Sequence, residues 1–158
     1  MYMKNYLPAG RRGLTLIELL VVIGILAVLL AITLIAINPA RQFSQANNTK
    51  RSSDVNAILN AIDQYAADNK GALPAGIPTA AAVIGSNTGG GQVDLCSSLV
   101  TRYLAALPVD PLTNNGTPAS DCTQGYNTNY TVVRSSTDNR LTVAAPAAEL
   151  NAVITVTR

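Results

Sequence analysis

The feature that most constrains the fold is an apolar run of 24 residues near the N-terminus, at positions 14–37. Its only charged residue is Glu18. As an α-helix the run would rise roughly 36 Å, which exceeds the hydrocarbon core of a bilayer at about 30 Å. The remaining sequence, 38–158, is rich in Asn, Thr and Ser and resembles an ordinary globular domain. We therefore expect one membrane-spanning helix followed by one soluble domain.

The charges that precede the run predict its orientation. They are Lys4, Arg11 and Arg12. Positive charge favours keeping the short N-terminal side in the cytoplasm, which places the large domain outside. These are three of the eleven Lys and Arg residues, so eight basic residues follow them against nine Asp and Glu. That nearly neutral remainder has no basic stripe to follow a nucleic-acid backbone, and we expect no nucleic-acid partner.

A second helical segment is predicted over 40–69. Asn38-Pro39 interrupts the first helix, because proline lacks an N–H donor and disfavours helical geometry at the residue before it. Apolar residues then recur at three- and four-residue spacing, at Val55, Ile58, Leu59, Ile62 and Tyr65. Such a stripe indicates an amphipathic helix that packs on its own domain.

The C-terminal half predicts a small antiparallel sheet. Three runs of β-branched or aromatic residues indicate strands at 126–133, 141–145 and 152–157. We expect a loop over 71–92 with a short helix around 79–84, and another short helix over 97–107. Strands packed on the amphipathic helix would give an α+β head.

The basic leader joins the apolar run directly. The junction reads Arg11-Arg12-Gly13-Leu14-Thr15-Leu16-Ile17-Glu18. This sequence resembles the cleavage site of type IV prepilins and type II secretion pseudopilins. An ordinary secretory signal would instead place its cleavage site after the apolar run.

The resemblance implies how the chain is processed and organised. A prepilin peptidase would cut between Gly13 and Leu14, and the new N-terminus at Leu14 would be methylated. Together with the helix and strand patterns described above, the resemblance divides the precursor into a leader (1–13), a transmembrane and filament-core helix (14–37), an amphipathic helix half (38–70) and a globular α+β head (71–158).

Glu18 matches the single acidic residue of the family's apolar segment. A carboxylate in the middle of a membrane helix costs about 2.5–3.5 kcal/mol on insertion scales and needs a partner. Cleavage would create a positive amine at Leu14, four residues away. Glu18 could pair with its own amine or with that of a neighbouring subunit. The alternative is a carboxylate that reaches the membrane interface and has no role in assembly.

The head offers few residues for chemistry. Cys96 and Cys122 are the only cysteines, and in an exported domain we expect a disulfide, with two unpaired thiols as the alternative. The Pro-Asp-Pro stretch around Asp110 is similar to that of major pseudopilins, some of which hold calcium in this region. Asp110 and Asp121 are therefore weak calcium candidates, and Asp110 is otherwise a turn former. With no His in the chain, we expect no cofactor and no enzyme.

The resemblance favours a structural subunit of a type IV pilus-like filament, which is a homo-oligomer. Assembly would need the prepilin peptidase, a platform membrane protein and a cytoplasmic ATPase. The subunit would first span the cytoplasmic membrane once and later lie in an extracellular filament. One alternative is a pseudopilin of type II secretion or DNA uptake. Another, of a different class, is an extracellular binding module on an uncleaved membrane anchor.

Overall fold

The computed structural model describes residues 13–158, so the leader residues Lys4, Arg11 and Arg12 lie outside the described residues. The helices and strands are α1 (Leu16–Ile37), α2 (Pro39–Asp68), β1 (Ala82–Gly85), α3 (Cys96–Leu99), β2 (Asn127–Arg134), β3 (Leu141–Ala144) and β4 (Thr155–Thr157). One-turn 3-10 helices lie at Thr88–Gly90 and Asn114–Gly116. The chain divides into a first compact unit that ends at Pro39 and a second, Ala40–Arg158.

Helix α1 is the predicted apolar segment. It is the helix within 13–158 that is long and apolar enough to cross a membrane. Its large side chains are exposed; Leu20, for example, is 58% exposed. The helix ends at Ile37, and Asn38 follows with a left-handed φ of 46°. Helix α2 begins at Pro39, where the missing N–H costs little because a first-turn N–H has no partner within the helix. The interruption predicted at Asn38-Pro39 thus separates the two helices.

The apolar stripe of α2 forms one wall of the head's core, as its spacing predicts. Val55, Ile58, Leu59 and Ile62 are all fully buried, and Tyr65 packs at the edge of the same cluster. The stripe meets residues from the sheet and from the long connection between β1 and β2. Burying such side chains stabilises by roughly 1.5–3 kcal/mol each. Most of the stability of α2 therefore comes from this face.

The sheet is a four-stranded antiparallel meander in the order β1-β2-β3-β4. Val132 of β2 pairs with Val143 of β3, and Val143 pairs with Val156 of β4. In β2 and β3 alternate residues are buried, so one face of these strands joins the core with α2. The predicted α+β class is confirmed.

Three details of the predicted secondary structure are wrong. Residues 82–85 form a strand and not part of a helix, because Ala82 and Val83 pair with Val132 and Thr131 of β2. The helix predicted over 97–107 is confined to Cys96–Leu99, since Val100 is extended and Thr101 has a φ of 72°. The last strand also begins later than predicted, at Thr155.

The expected disulfide is formed between Cys96 and Cys122, whose Cα atoms lie 5.4 Å apart. Cys96 is fully buried at the start of α3, and Cys122 packs against the same core. The bond joins α3 to the segment that leads into β2. It therefore restrains the long connection between β1 and β2, which contains little regular structure.

Replacing Cys96 and Cys122 together by Ala should lower the free energy of unfolding by about 3.5 kcal/mol. This value is the free-energy equivalent of the chain entropy that a bond across 26 residues removes from the unfolded state. Urea unfolding of the full chain in detergent, followed by near-UV circular dichroism, measures the change. Ser97→Ala, an exposed substitution in the same helix, is the matched control and should unfold like the parent. A loss below about 1 kcal/mol would contradict a stabilising role for the bond.

Candidate functional site

The bond between Gly13 and Leu14 lies in non-helical chain just before α1. Both residues are exposed, Leu14 by 73%. Thr15 follows as the N-cap with an extended backbone, φ −79° and ψ 154°, and the helix begins at Leu16. A peptide bond at this position can enter the extended conformation that a peptidase needs without unwinding the helix.

Glu18 and Thr15 form a reciprocal capping box at the start of α1. Oε2 of Glu18 accepts hydrogen bonds from the Thr15 N–H at 2.7 Å and from the Thr15 hydroxyl at 2.8 Å. In return the Glu18 N–H donates to Oγ1 of Thr15 at 3.3 Å. The helix N-terminus also favours a negative charge in its first turn. The carboxylate is therefore held at the end of the helix nearest Leu14.

The capping box satisfies hydrogen bonds but does not neutralise charge. Thr15 is uncharged, so the carboxylate of Glu18 keeps its full negative charge next to an apolar helix. Leu14 immediately precedes Thr15, whose N–H already binds this carboxylate. An amine created at Leu14 would form one residue away from that N–H. The position suits a short ion pair within the chain, and the exposed end of the helix leaves the carboxylate accessible to a neighbouring chain as well.

The second polar site lies in the head around the fully buried Arg51 of α2. Its Nε donates to Oδ2 of Asp110 at 2.6 Å, and its Nη2 donates to Oδ1 of the same carboxylate at 3.3 Å. Its Nη1 donates to Oε2 of Glu149 at 2.8 Å. The pairing raises the pKa of Arg51, chiefly through the hydrogen bonds with Asp110. Removing one partner of such a buried pair typically costs roughly 3–5 kcal/mol.

Glu149 is the outer member of this charge network and contacts the first turns of α2. Ser44 donates to its Oε1 at 2.8 Å and Asn47 to its Oε2 at 3.0 Å. Asn48 exchanges two hydrogen bonds with the Glu149 backbone, at 2.7 and 2.9 Å. The hydrogen bonds from Arg51, then from Asn47 and Ser44, lower the pKa of Glu149 from its usual 4.5 to about 2. Glu149 thus attaches the turn after β3 to α2.

The two weak calcium candidates have other partners. The Asp110 carboxylate is fully buried against Arg51 and also accepts the Leu112 N–H at 2.9 Å. Asp121 is exposed, and its Oδ1 accepts the Thr123 N–H and hydroxyl. Within residues 13–158 no group of three or more Asp, Glu, Cys or His is placed to hold a metal. The structure therefore gives Asp110 a structural part in the ion pair, which the turn-forming interpretation missed.

The sequence contains an indication that Arg51 is buried. Arg51 lies four residues before Val55 and seven before Ile58, so it continues the buried stripe of α2 by one helical turn. A cation on that face requires an acidic partner in the core. The sequence does not say which carboxylate, because Asp110 and Glu149 are 59 and 98 residues away.

Comparison with known proteins matches the N-terminal segment alone. Residues 8–34 match the family described as the prokaryotic N-terminal methylation motif. This motif is the class III leader of type IV pilins and pseudopilins, so the resemblance seen in the sequence is confirmed over this segment. The motif supports a type IV pilin-like or pseudopilin precursor that is anchored in the membrane before assembly. No curated protein and no solved structure matches the chain significantly.

Glu149→Gln should flatten the acid dependence of head stability. Because the folded-state pKa of Glu149 is depressed, its carboxylate stabilises the head above about pH 4.5, and this contribution is lost as the pH falls towards 2. The parent should therefore lose several degrees of Tm between pH 5 and about 2.5 that the variant does not lose. Thermal unfolding of the full chain by circular dichroism measures both profiles.

Asp63→Asn is the matched control for this comparison. It removes a carboxylate from the exposed side of α2, where Asp63 pairs with Arg158 at 3.3 Å. An exposed pair of this kind contributes little to stability. Its profile should follow the parent. Parallel acid profiles for Glu149→Gln and the parent would show that the Glu149 carboxylate is not ionised in the folded head at low pH.

Proposed function

We propose that this chain is a structural subunit of a type IV pilus-like filament, which polymerises through α1 after removal of its leader. The observation that carries the proposal is the methylation motif at 8–34, in which the cleavage position predicted after Gly13 directly precedes an exposed apolar helix. A cut after Gly13 keeps the helix in the mature protein. The mature subunit therefore retains its membrane anchor, which can later become a packing element.

The apolar surface of α1 supports polymerisation. A helix that is apolar all round must be covered by lipid or by other apolar helices. Bundling α1 helices from many copies would replace lipid contacts by protein contacts, and Gly24 allows close approach because it has no side chain. The head, with its own core and disulfide, would form the outer surface.

Glu18 would couple cleavage to assembly. The capping box holds its carboxylate beside Leu14, and the mature amine at Leu14 supplies the missing positive charge. In a bundle of apolar helices this pairing, within a subunit or between neighbours, favours one axial position over the others. The prepilin peptidase, a platform membrane protein and an assembly ATPase are the partners this route requires.

The proposal predicts that the mature chain begins at a methylated Leu14. Mass spectrometry of the N-terminal peptide, from cells with a prepilin peptidase, is the measurement. Gly13→Val should keep its leader because the peptidase site is altered. Gly24→Val, a matched Gly substitution inside the helix, should still be processed. A mature chain that begins at Met1 would instead indicate an uncleaved anchor and a binding module.

Glu18→Val should be processed like the parent but should enter filaments at least about tenfold less efficiently. The reason is that its amine would be buried without a carboxylate, and removing one partner of a buried pair costs roughly 3–5 kcal/mol. The ratio of variant to parent in sheared filaments, relative to the membrane fraction, measures incorporation. Thr33→Val is the control: it removes a hydroxyl that bonds to the Leu30 carbonyl within the same helix.

Electron microscopy of the sheared surface material separates the two filament roles. Long filaments that contain this chain support the pilus subunit. If the processed chain stays in the membrane fraction and such filaments are missing, the pseudopilin alternative takes its place. Equal incorporation of Glu18→Val and the parent would contradict the role of Glu18 in assembly, whether the chain is a pilus subunit or a pseudopilin.

A further inference from the structure

A cavity of about 530 Å³ lies in the head between the segment after α2 and the end of β2. It is lined by residues 71–77, Arg134 and Asn139. Arg134 is the one charged residue of this lining. A concave site of this volume is in the range that holds a small molecule. The methylation motif and the filament role do not involve it.

The backbone fixes Arg134 at the edge of the cavity. It is the last residue of β2 and pairs with Leu141 of β3. Its N–H donates to the carbonyl of Pro78 at 2.9 Å, which places it beside the segment that leads into β1. The guanidinium is therefore presented from the rigid end of the sheet.

The Arg134 guanidinium has no acceptor among residues 13–158. Its Nε is buried and lacks a hydrogen-bond partner. Buried polar groups are nearly always paired, and a charged group is especially costly to leave unpaired. Because water cannot reach Nε, the donors that a ligand in the cavity can reach are the two Nη groups, which make no hydrogen bond within residues 13–158.

The carboxylates of the chain are engaged elsewhere. All nine Asp and Glu residues lie within the described part, and each accepts a hydrogen bond from another group: Glu18, Asp54, Asp63, Asp68, Asp94, Asp110, Asp121, Asp138 and Glu149. None of them lines the cavity. Residues 1–12 contain no acidic side chain. No carboxylate of residues 13–158 therefore bonds to Arg134, which leaves its guanidinium open to an anion from outside the chain.

The opposite wall supplies further donors. Gly71 and Gly76 both have positive φ, 87° and 85°, so this segment turns tightly. Its first amides donate to α2, from Gly71 to Ala66 and from Ala72 to Asn69. Within the described chain, the N–H groups of Leu73 and Gly76 make no backbone hydrogen bond. The cavity is thus lined by a guanidinium and by a Gly-containing turn with free amides. Such a set of donors suits an oxyanion.

We propose that this cavity binds the oxyanion of a small acidic molecule, a carboxylate or a phosphoryl group, with Arg134 as its counterion. The planar guanidinium would bind two oxygens of the group side by side. The Asn139 amide and the free amides of 71–77 would hold other polar atoms of the ligand. This proposal does not depend on the filament role, since the cavity belongs to a single head.

The test is a titration of the full chain, labelled with ¹⁵N, in micelles of an uncharged polyoxyethylene detergent. Inorganic phosphate, glucuronate and glucose are added separately at constant ionic strength. We expect saturable shifts of the amides of 71–77 and 134–139 with an anion and none with glucose. A response to phosphate alone identifies a phosphoryl ligand, and one to glucuronate alone a carboxylate. No saturable shift with either anion overturns the proposal.

Variants separate a specific site from general attraction of anions. Arg134→Gln should weaken the apparent Kd by about tenfold or more, because it removes a charged donor. Arg134→Lys keeps the charge without the planar fork and should bind at an intermediate strength, which provides the test if the Gln variant fails to fold. Arg140→Gln removes an exposed charge from the neighbouring turn and should bind like the parent. Equal losses in the Arg134→Gln and Arg140→Gln variants would also overturn the proposal.

Discussion

The buried charge of Arg51 is the interaction on which the architecture of the head depends. Arg51 lies on the face of α2 that also carries Val55 and Ile58, so it is buried whenever the stripe is buried. Its guanidinium then needs acceptors, and these come from Asp110 and Glu149, in two segments that are distant in sequence. Both segments must pack against α2 for Arg51 to have these two acceptors. The ion pair thereby specifies which loops pack against α2, although such a pair adds little net stability.

Removal from water places a different requirement on α1 than on Arg51. There the side chains are apolar and the helix satisfies its own backbone hydrogen bonds, so the segment requires only apolar surroundings. The head satisfies its apolar face internally, whereas α1 leaves its apolar surface exposed in the monomer. A chain of this kind is incomplete without a membrane or further copies of α1. That requirement, rather than any catalytic group, connects the fold to the proposed filament.

The sequence predicted those parts of the fold that local pattern determines. The composition of α1, the spacing in α2 and the β-branched residues of β2 and β3 each give a local signal. Strand β1 was missed because Ala80 and Ala81 favour a helix, while the strand exists only through its pairing with β2. The long-range partners of the charged side chains were missed for the same reason. Nothing in the sequence near Glu149 indicates its contact with Arg51. Likewise, the sequence cannot show that Arg134 lacks an acidic partner, because this requires knowing where all the carboxylates lie in the fold.

In the proposed filament, Glu18 differs from the acidic residues of the head in what surrounds it. Head carboxylates such as Asp110 and Asp54 meet a cation of the same chain, whereas Glu18 meets the uncharged Thr15. A capping box lowers the cost of burying the carboxylate but leaves its charge uncompensated in an apolar environment. Cleavage after Gly13 would remove Lys4, Arg11 and Arg12, whose charges favour keeping the leader on the cytoplasmic side, and would add one amine beside the carboxylate. In this proposal the charged segment would become a nearly neutral helix end, which would leave the lipid at a much lower electrostatic cost.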